Sequence, residues 1–174
     1  MSGERERLLE GLYGRHAAAV HAYALRRVDR ATADEVVAET FVVAWRQLDR
    51  IPPEPLPWLY GVARRVIANQ VRGANRRAAL LRRLSSQPVI ADLDVPMSET
   101  LQQLQRLGAR DREVLLLVAW EGLSQAQAAE VLGCSNVAVR VRLHRARSRL
   151  RDLLDQTDVL PSTSAVEARC DGAL

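Results

Sequence analysis

The sequence predicts an all-α protein made of two small helical domains joined by a flexible linker, the C-terminal domain being a helix-turn-helix. Three observations predict this. Aromatic residues are only 4% of the 174, while Ala and Leu dominate, a composition suited to helix-on-helix packing rather than sheets. Apolar residues recur at spacings of three and four through nearly every segment. Glycines, prolines and serines punctuate that pattern where helices would have to stop.

The elements follow in order. Leu8, Leu9, Leu12, Tyr13, Val20 and Tyr23 mark a first helix. Thr32 and Glu35 have capping-box spacing, and Val37, Phe41, Ala44 and Leu48 form one apolar stripe behind them. Prolines at 52, 53, 55 and 57 make residues 51–57 a loop, with Pro57 in the first turn of the next helix. That helix carries Trp58, Leu59, Val62, Ala63, Val66 and Ile67 and is expected to fray near Gly73. Residues 78–98 then lose the pattern and read as a linker, although Ala79 to Leu84 can extend the helix. The next unit has Leu101, Leu104 and Leu107 before Gly108, and Val114, Leu115, Leu117 and Val118 before Gly122. Both glycines stand where a left-handed cap is expected. The domains are therefore placed at residues 1–77 and 99–155, with a mobile tail at 156–174.

Charge distribution narrows the function. The net charge is only +4, and all 25 basic residues are arginine, so location matters more than the sum. No acid occurs from Pro55 to Ala91, a stretch holding Arg64, Arg65, Arg72, Arg76, Arg77, Arg82 and Arg83. A second acid-free stretch, Val131 to Arg151, holds Arg140, Arg142, Arg145, Arg147, Arg149 and Arg151. Two basic stretches in a chain of modest charge predict two contacts with a polyanion. His16, His21, His144, Cys134 and Cys170 show no metal-ligand spacing, so no metal or cofactor is expected. No run reaches a membrane span, and the charged N-terminus lacks a signal-peptide core, which points to a cytoplasmic protein without membrane contact. Neither a glycine-rich phosphate loop nor a nucleophile–base arrangement is present, so an enzyme is not expected.

The helix-turn-helix is the most specific motif. Ser124 to Gln127 forms a capping box, Gly133 permits the tight turn, and Ser135 caps the second helix. Ala129 and Leu132 lie on the inner side of the first helix; Val139, Leu143, Ala146 and Leu150 line that of the second. The outward face of the second helix presents Arg140, Val141, His144 and Arg145 to base edges in a major groove. Ser124, Arg142, Arg147 and Arg149 are placed to grip phosphates.

Together the two halves resemble a known family. Ala33 to Arg46 looks like the core-polymerase-binding helix of bacterial sigma factors, and Pro57 to Arg65 resembles the promoter-melting helix that follows it. Arg112 to Leu117, Gly122 to Ser124 and the helix-turn-helix are similar to the promoter-binding C-terminal domain. With no domain between the halves, the resemblance is to the extracytoplasmic-function class.

It implies that Asp34, Glu35, Glu39, Phe41, Trp45 and Arg46 meet core RNA polymerase. Trp58, Arg64, Arg65, Asn69, Arg72, Arg76 and Arg77 would meet the single strand of a "minus ten" element, and loop 51–57 would capture a flipped base. The helix-turn-helix would read a double-stranded "minus thirty-five" element. Where many members carry Asn and Asp, this chain has Arg65 and Asn69. An anti-sigma protein is a further implied partner. The alternative is a helix-turn-helix regulator that binds DNA without polymerase. The linker of 21 residues reaches at most about 70 Å, enough to tether two promoter contacts.

Overall fold

Seven α-helices follow one another in the computed structural model, which describes residues 2–84 and 99–158, with side chains over 3–77 and 103–156. They are α1 (Ser2–Leu25), α2 (Arg30–Arg46), α3 (Pro55–Leu84), α4 (Glu99–Arg106), α5 (Ala109–Leu115), α6 (Gln125–Leu132) and α7 (Asn136–Asp158). A short 3-10 turn at Leu48–Arg50 follows α2, and a five-residue π segment, Leu116–Trp120, continues α5. No strand occurs among the described residues. Residues 85–98 and the tail beyond 158 lie outside the described part.

The N-terminal helices pack around Val20, Tyr23, Ala33, Val36, Ala44, Leu59 and Ala63, all fully buried. Helix α2 starts earlier than the expected Thr32 box. Its N-cap is Asp29, whose carboxylate accepts from the Thr32 backbone N–H at 3.0 Å and from the Thr32 hydroxyl at 2.8 Å. An ionised carboxylate is the stronger acceptor, so it takes the cap and turns the threonine into its donor. These bonds hold the Asp29 carboxyl below its ordinary pKa.

Helix α3 opens on Pro55, with Pro57 also inside its first turn, where a missing N–H leaves no helical bond unmade. The loop is therefore shorter than residues 51–57. Helix α3 continues past Gly73, where fraying is expected, and runs 30 residues to Leu84, over the first seven positions assigned to the linker and through the Ala79 to Leu84 extension that the sequence allows. One interior glycine costs only about 1 kcal/mol, and Ala74, Arg76, Arg77, Ala78, Ala79 and Leu80 beyond it are helix formers.

In the C-terminal half, α5 and α6 pack on α7. Val114, Leu117, Val139, Leu143 and Ala146 are buried between them, each large side chain contributing about 1.5–3 kcal/mol. Gly122 and Gly133 take φ of +69° and +65°, the left-handed conformation a Cβ disfavours. Gly108 does not: at φ −55° and ψ 143° it is the extended N-cap of α5. The Ser124–Gln127 capping box is present in both directions, at 3.2 and 2.9 Å, and Ser135 Oγ accepts from the Ala138 N–H at 3.2 Å.

The two halves also pack on each other. Helix α6 lies along α3, and the point where a Gly61 Cβ would stand is 3.8 Å from Val131 Cα. On α6, Ala128 and Val131 are consequently buried, whereas Leu132, expected on the inner side, is only half-buried.

Candidate nucleic-acid interface

The helix-turn-helix sets one candidate surface. Burial of Val139, Leu143 and Ala146 at helical spacing turns the opposite side of α7 outward. Arg140, Val141, His144 and Arg145 lie together there, all exposed, with Val141 44% exposed despite being apolar. An uncovered valine among arginines suits contact with thymine methyl groups and base edges. Arg142 is half-buried, and Arg147 and Arg149 are exposed. Arg149 is not free for a phosphate, because its guanidinium is paired with Asp111 of α5. Ser124 is exposed, with its Oγ engaged in the capping box.

Helix α3 carries the other candidate surface. Arg65, Asn69, Arg72, Arg76 and Arg77 are exposed along it. Arg65 donates to the Gly61 carbonyl at 3.1 Å and Arg72 to Asn69 Oδ1 at 2.6 Å, local bonds that a ligand can displace. Trp58 is half-buried against the core. Arg64 departs from the expected set. It is half-buried, and its Nε and Nη2 donate to the two carboxylate oxygens of Glu113 at 2.8 and 3.3 Å. That bond favours the charged form and raises the Arg64 pKa further.

The α2 residues that the resemblance assigns to polymerase do not all share one side of the helix. Asp34, Glu35 and Glu39 are exposed on one side with Arg46, and Asp34 Oδ1 sits 3.0 Å from His21 Nε2. Phe41 does not belong to that face. It is buried, edge-on to Tyr13 with ring centroids 4.8 Å apart, because it follows Val37 by four residues and precedes Ala44 by three. Trp45 is half-buried, with the Arg5 guanidinium 5.3 Å from its ring centre.

A seam between the halves was not legible in the sequence. Glu121 follows the π segment, whose wide turn is closed by the Glu121 N–H donating to the Leu116 carbonyl at 3.0 Å. Its side chain is only 3% exposed and lies between Arg26 and Arg27. Arg26 Nε donates to Glu121 Oε1 at 3.1 Å, and its Nη2 is bonded to Oε2. Arg27 reaches Oε1 at 3.4 Å while its guanidinium stacks 3.6 Å from the Tyr23 ring centre. Tyr23 and Tyr60 stack with centroids 4.8 Å apart.

Burial pushes both tyrosine hydroxyls up to about 12, with the Glu121 carboxylate the next contributor at Tyr60. A raised folded-state pKa means the seam keeps its full tyrosine contribution below the ordinary value of about 10 and loses it as pH rises toward about 12. Alkaline titration should therefore loosen the seam in that window, read by scattering alongside near-ultraviolet tyrosinate absorbance. Tyr60→Phe should remove one of the late-ionising steps. An unchanged absorbance profile in that variant would contradict this assignment.

Among the described residues no group of His, Cys, Asp and Glu could hold a metal ion, and no helix is long and apolar enough to cross a membrane.

Comparison with known proteins gives these surfaces a family. Residues 12–77 match Sigma-70 region 2, and residues 98–150 match Sigma-70, region 4. The chain is 33% identical over 162 residues to the ECF RNA polymerase sigma factor SigL of Mycobacterium tuberculosis, covering 87% of this chain and 92% of that one. It is 32% identical over 173 residues to the RNA polymerase sigma factor CnrH of Cupriavidus metallidurans, covering 86% and 88%. The solved structure of CnrH in complex with the cytosolic domain of CnrY has a TM-score of 0.61 at 31% identity, covering 87% of this chain and 90% of that one. RpoE of Bartonella quintana, solved with the anti-sigma factor NepR, has a TM-score of 0.68 at 24% identity, covering 84% and 96%, a likeness of fold. With region 2 matched over α1–α3, region 4 matched over α4–α7, and relatives covered nearly end to end, the chain belongs to the ECF sigma factors, the non-enzymatic transcription factors that direct RNA polymerase in transcription initiation.

Proposed function

We propose that this sigma factor binds core RNA polymerase through α2, reads a "minus thirty-five" duplex element through α7, and holds the opening "minus ten" strand along α3. The observation that carries this reading is the order of the two family matches on one chain, region 2 ahead of region 4. In the first role stand Asp34, Glu35, Glu39 and Arg46, with Trp45 at the edge and Phe41 supporting the helix from within. In the second stand Arg140, Val141, His144 and Arg145, with Ser124, Arg142 and Arg147 toward the phosphates. In the third stand Arg65, Asn69, Arg72, Arg76 and Arg77, joined by Arg64 once Glu113 releases it.

The protein carries no chemistry of its own; it positions DNA for the polymerase in the cytoplasm. The CnrH–CnrY complex supports an anti-sigma partner for this chain as well.

Reconstitution tests the reading. Purified protein added to core polymerase should be retained on it and should start transcripts from a template bearing both promoter elements, with permanganate-reactive thymines at the start site. A protein that shifts the same DNA but is not retained on polymerase would be an ordinary helix-turn-helix regulator.

A further inference from the structure

The seam between the halves is a basic and aromatic surface filled by carboxylates. The N-terminal half contributes three guanidiniums, Arg26, Arg27 and Arg64, beside the stacked rings of Tyr23 and Tyr60. The C-terminal half meets these guanidiniums with the carboxylates of Glu113 and Glu121. Both Arg26 and Arg64 meet their carboxylate through Nε and an Nη nitrogen, the fork geometry that also takes a phosphate. Arginines with aromatic rings are the composition of single-strand grooves. The surface is also continuous with the exposed arginines of α3, since Tyr60, Arg64 and Arg65 share that helix.

Two features mark the seam as a contact made to open. Tyr23 Oη and Arg27 Nη2 are buried with no hydrogen-bond partner among the described residues, and opening would hydrate both. Gly61 provides the close approach to α6 without a side chain that would interlock with it.

We propose that Arg26, Arg27 and Arg64, with Tyr23 and Tyr60, form a binding surface for the phosphates of single-stranded promoter DNA, and that Glu113 and Glu121 occupy it in the free protein as internal stand-ins for phosphate. The free protein is then closed, and its apparent affinity for a single strand falls with the small fraction that is open. This rests on the sigma-factor reading of α3 but extends the strand surface to the end of α1 and makes the C-terminal domain its competitor.

The test uses the full chain without polymerase and a short fluorescein-labelled oligothymidine, followed by anisotropy, with small-angle scattering reporting the separation of the halves. Glu113→Gln with Glu121→Gln should expand the protein and tighten oligothymidine binding about 10-fold, within the ~5–150-fold range of such couplings. Gly61→Leu should do the same by wedging α3 from α6, without altering charge. Glu10→Gln with Glu130→Gln removes the same charge from exposed positions and should change binding far less.

In the Glu113→Gln, Glu121→Gln background, adding Arg26→Gln and Arg27→Gln should abolish the gain. The proposal is overturned if neither opened variant binds more tightly, if the exposed-charge control gains as much, or if the arginine changes leave the gain intact. Such a failure beside successful transcription in reconstitution would sink this inference alone; failed reconstitution would sink the functional reading beneath it.

Discussion

Replacing Arg140 and Arg145 together by alanine should abolish recognition of the upstream promoter element while leaving polymerase binding unchanged. Both side chains are exposed on the outward face of α7, in its N-terminal half, which a recognition helix turns to the base edges. A bidentate arginine–guanine pair discriminates by about 1–3 kcal/mol, so two such losses amount to roughly 2–6 kcal/mol. That corresponds to about 30-fold to 10⁴-fold at about 1.4 kcal/mol per decade.

The fold should survive, because Val139, Leu143 and Ala146 hold the helix from its other side. Arg142 and Arg147 stay in place, so salt-sensitive, sequence-independent binding should persist. Transcription from matched templates with intact and scrambled upstream elements measures the loss. If the double variant still told those templates apart, another face of α7 would be doing the reading. If it no longer bound polymerase, the division of labour between the halves would be wrong.

Reversing the charge of Glu35 and Glu39 should have an effect of similar size on the other partner. Four residues apart and both exposed, they share one face of α2 with Asp34 and away from Phe41. Glu35→Arg with Glu39→Arg would put positive charge where the proposed contact offers two carboxylates, and a like-charge juxtaposition at an interface costs several kcal/mol. Retention on core polymerase should fall by at least about 100-fold, while the isolated protein still binds upstream-element duplex. Unchanged helicity and melting temperature would show that the loss is at the interface. Wild-type retention would remove α2 from the proposed polymerase contact and require another surface.

Most of the corrections share one cause: competition between a local signal and a better partner close in space. Thr32 has the spacing of a capping residue, but the Asp29 carboxylate three positions earlier takes the cap. The family resemblance puts Phe41 among the polymerase-contacting residues with Trp45, but its register with Val37 and Ala44, the apolar stripe, buries it against Tyr13. Arg149 falls by spacing among the phosphate-gripping arginines, and in the fold it pairs with Asp111 of α5. Gly73 predicts fraying, yet a single glycine is too weak a breaker against the alanines, arginines and leucines that follow, and the extension that Ala79 to Leu84 allow is the one the fold takes.

What the sequence determined by itself was everything encoded within a few residues of itself. Helical periodicity placed the helices, the serine caps and the left-handed Gly133 placed the helix-turn-helix, and the same periodicity put Arg140, Val141, His144 and Arg145 on its outward side. These are short-range rules, since a helix face repeats every three or four residues and a cap acts within one turn.

Only the tertiary structure decided what the charges do at long range. Arg26 meets Glu121 across 95 positions and Arg64 meets Glu113 across 49, and no local pattern announces either pair. An arginine in an acid-free stretch reads as free for DNA until folding brings a carboxylate from the other half beside it. The sequence thus predicts two basic surfaces, and the fold shows that Arg64, at the edge of the one on α3, is covered by the domain that carries the other, while Arg65, Arg72, Arg76 and Arg77 stay exposed.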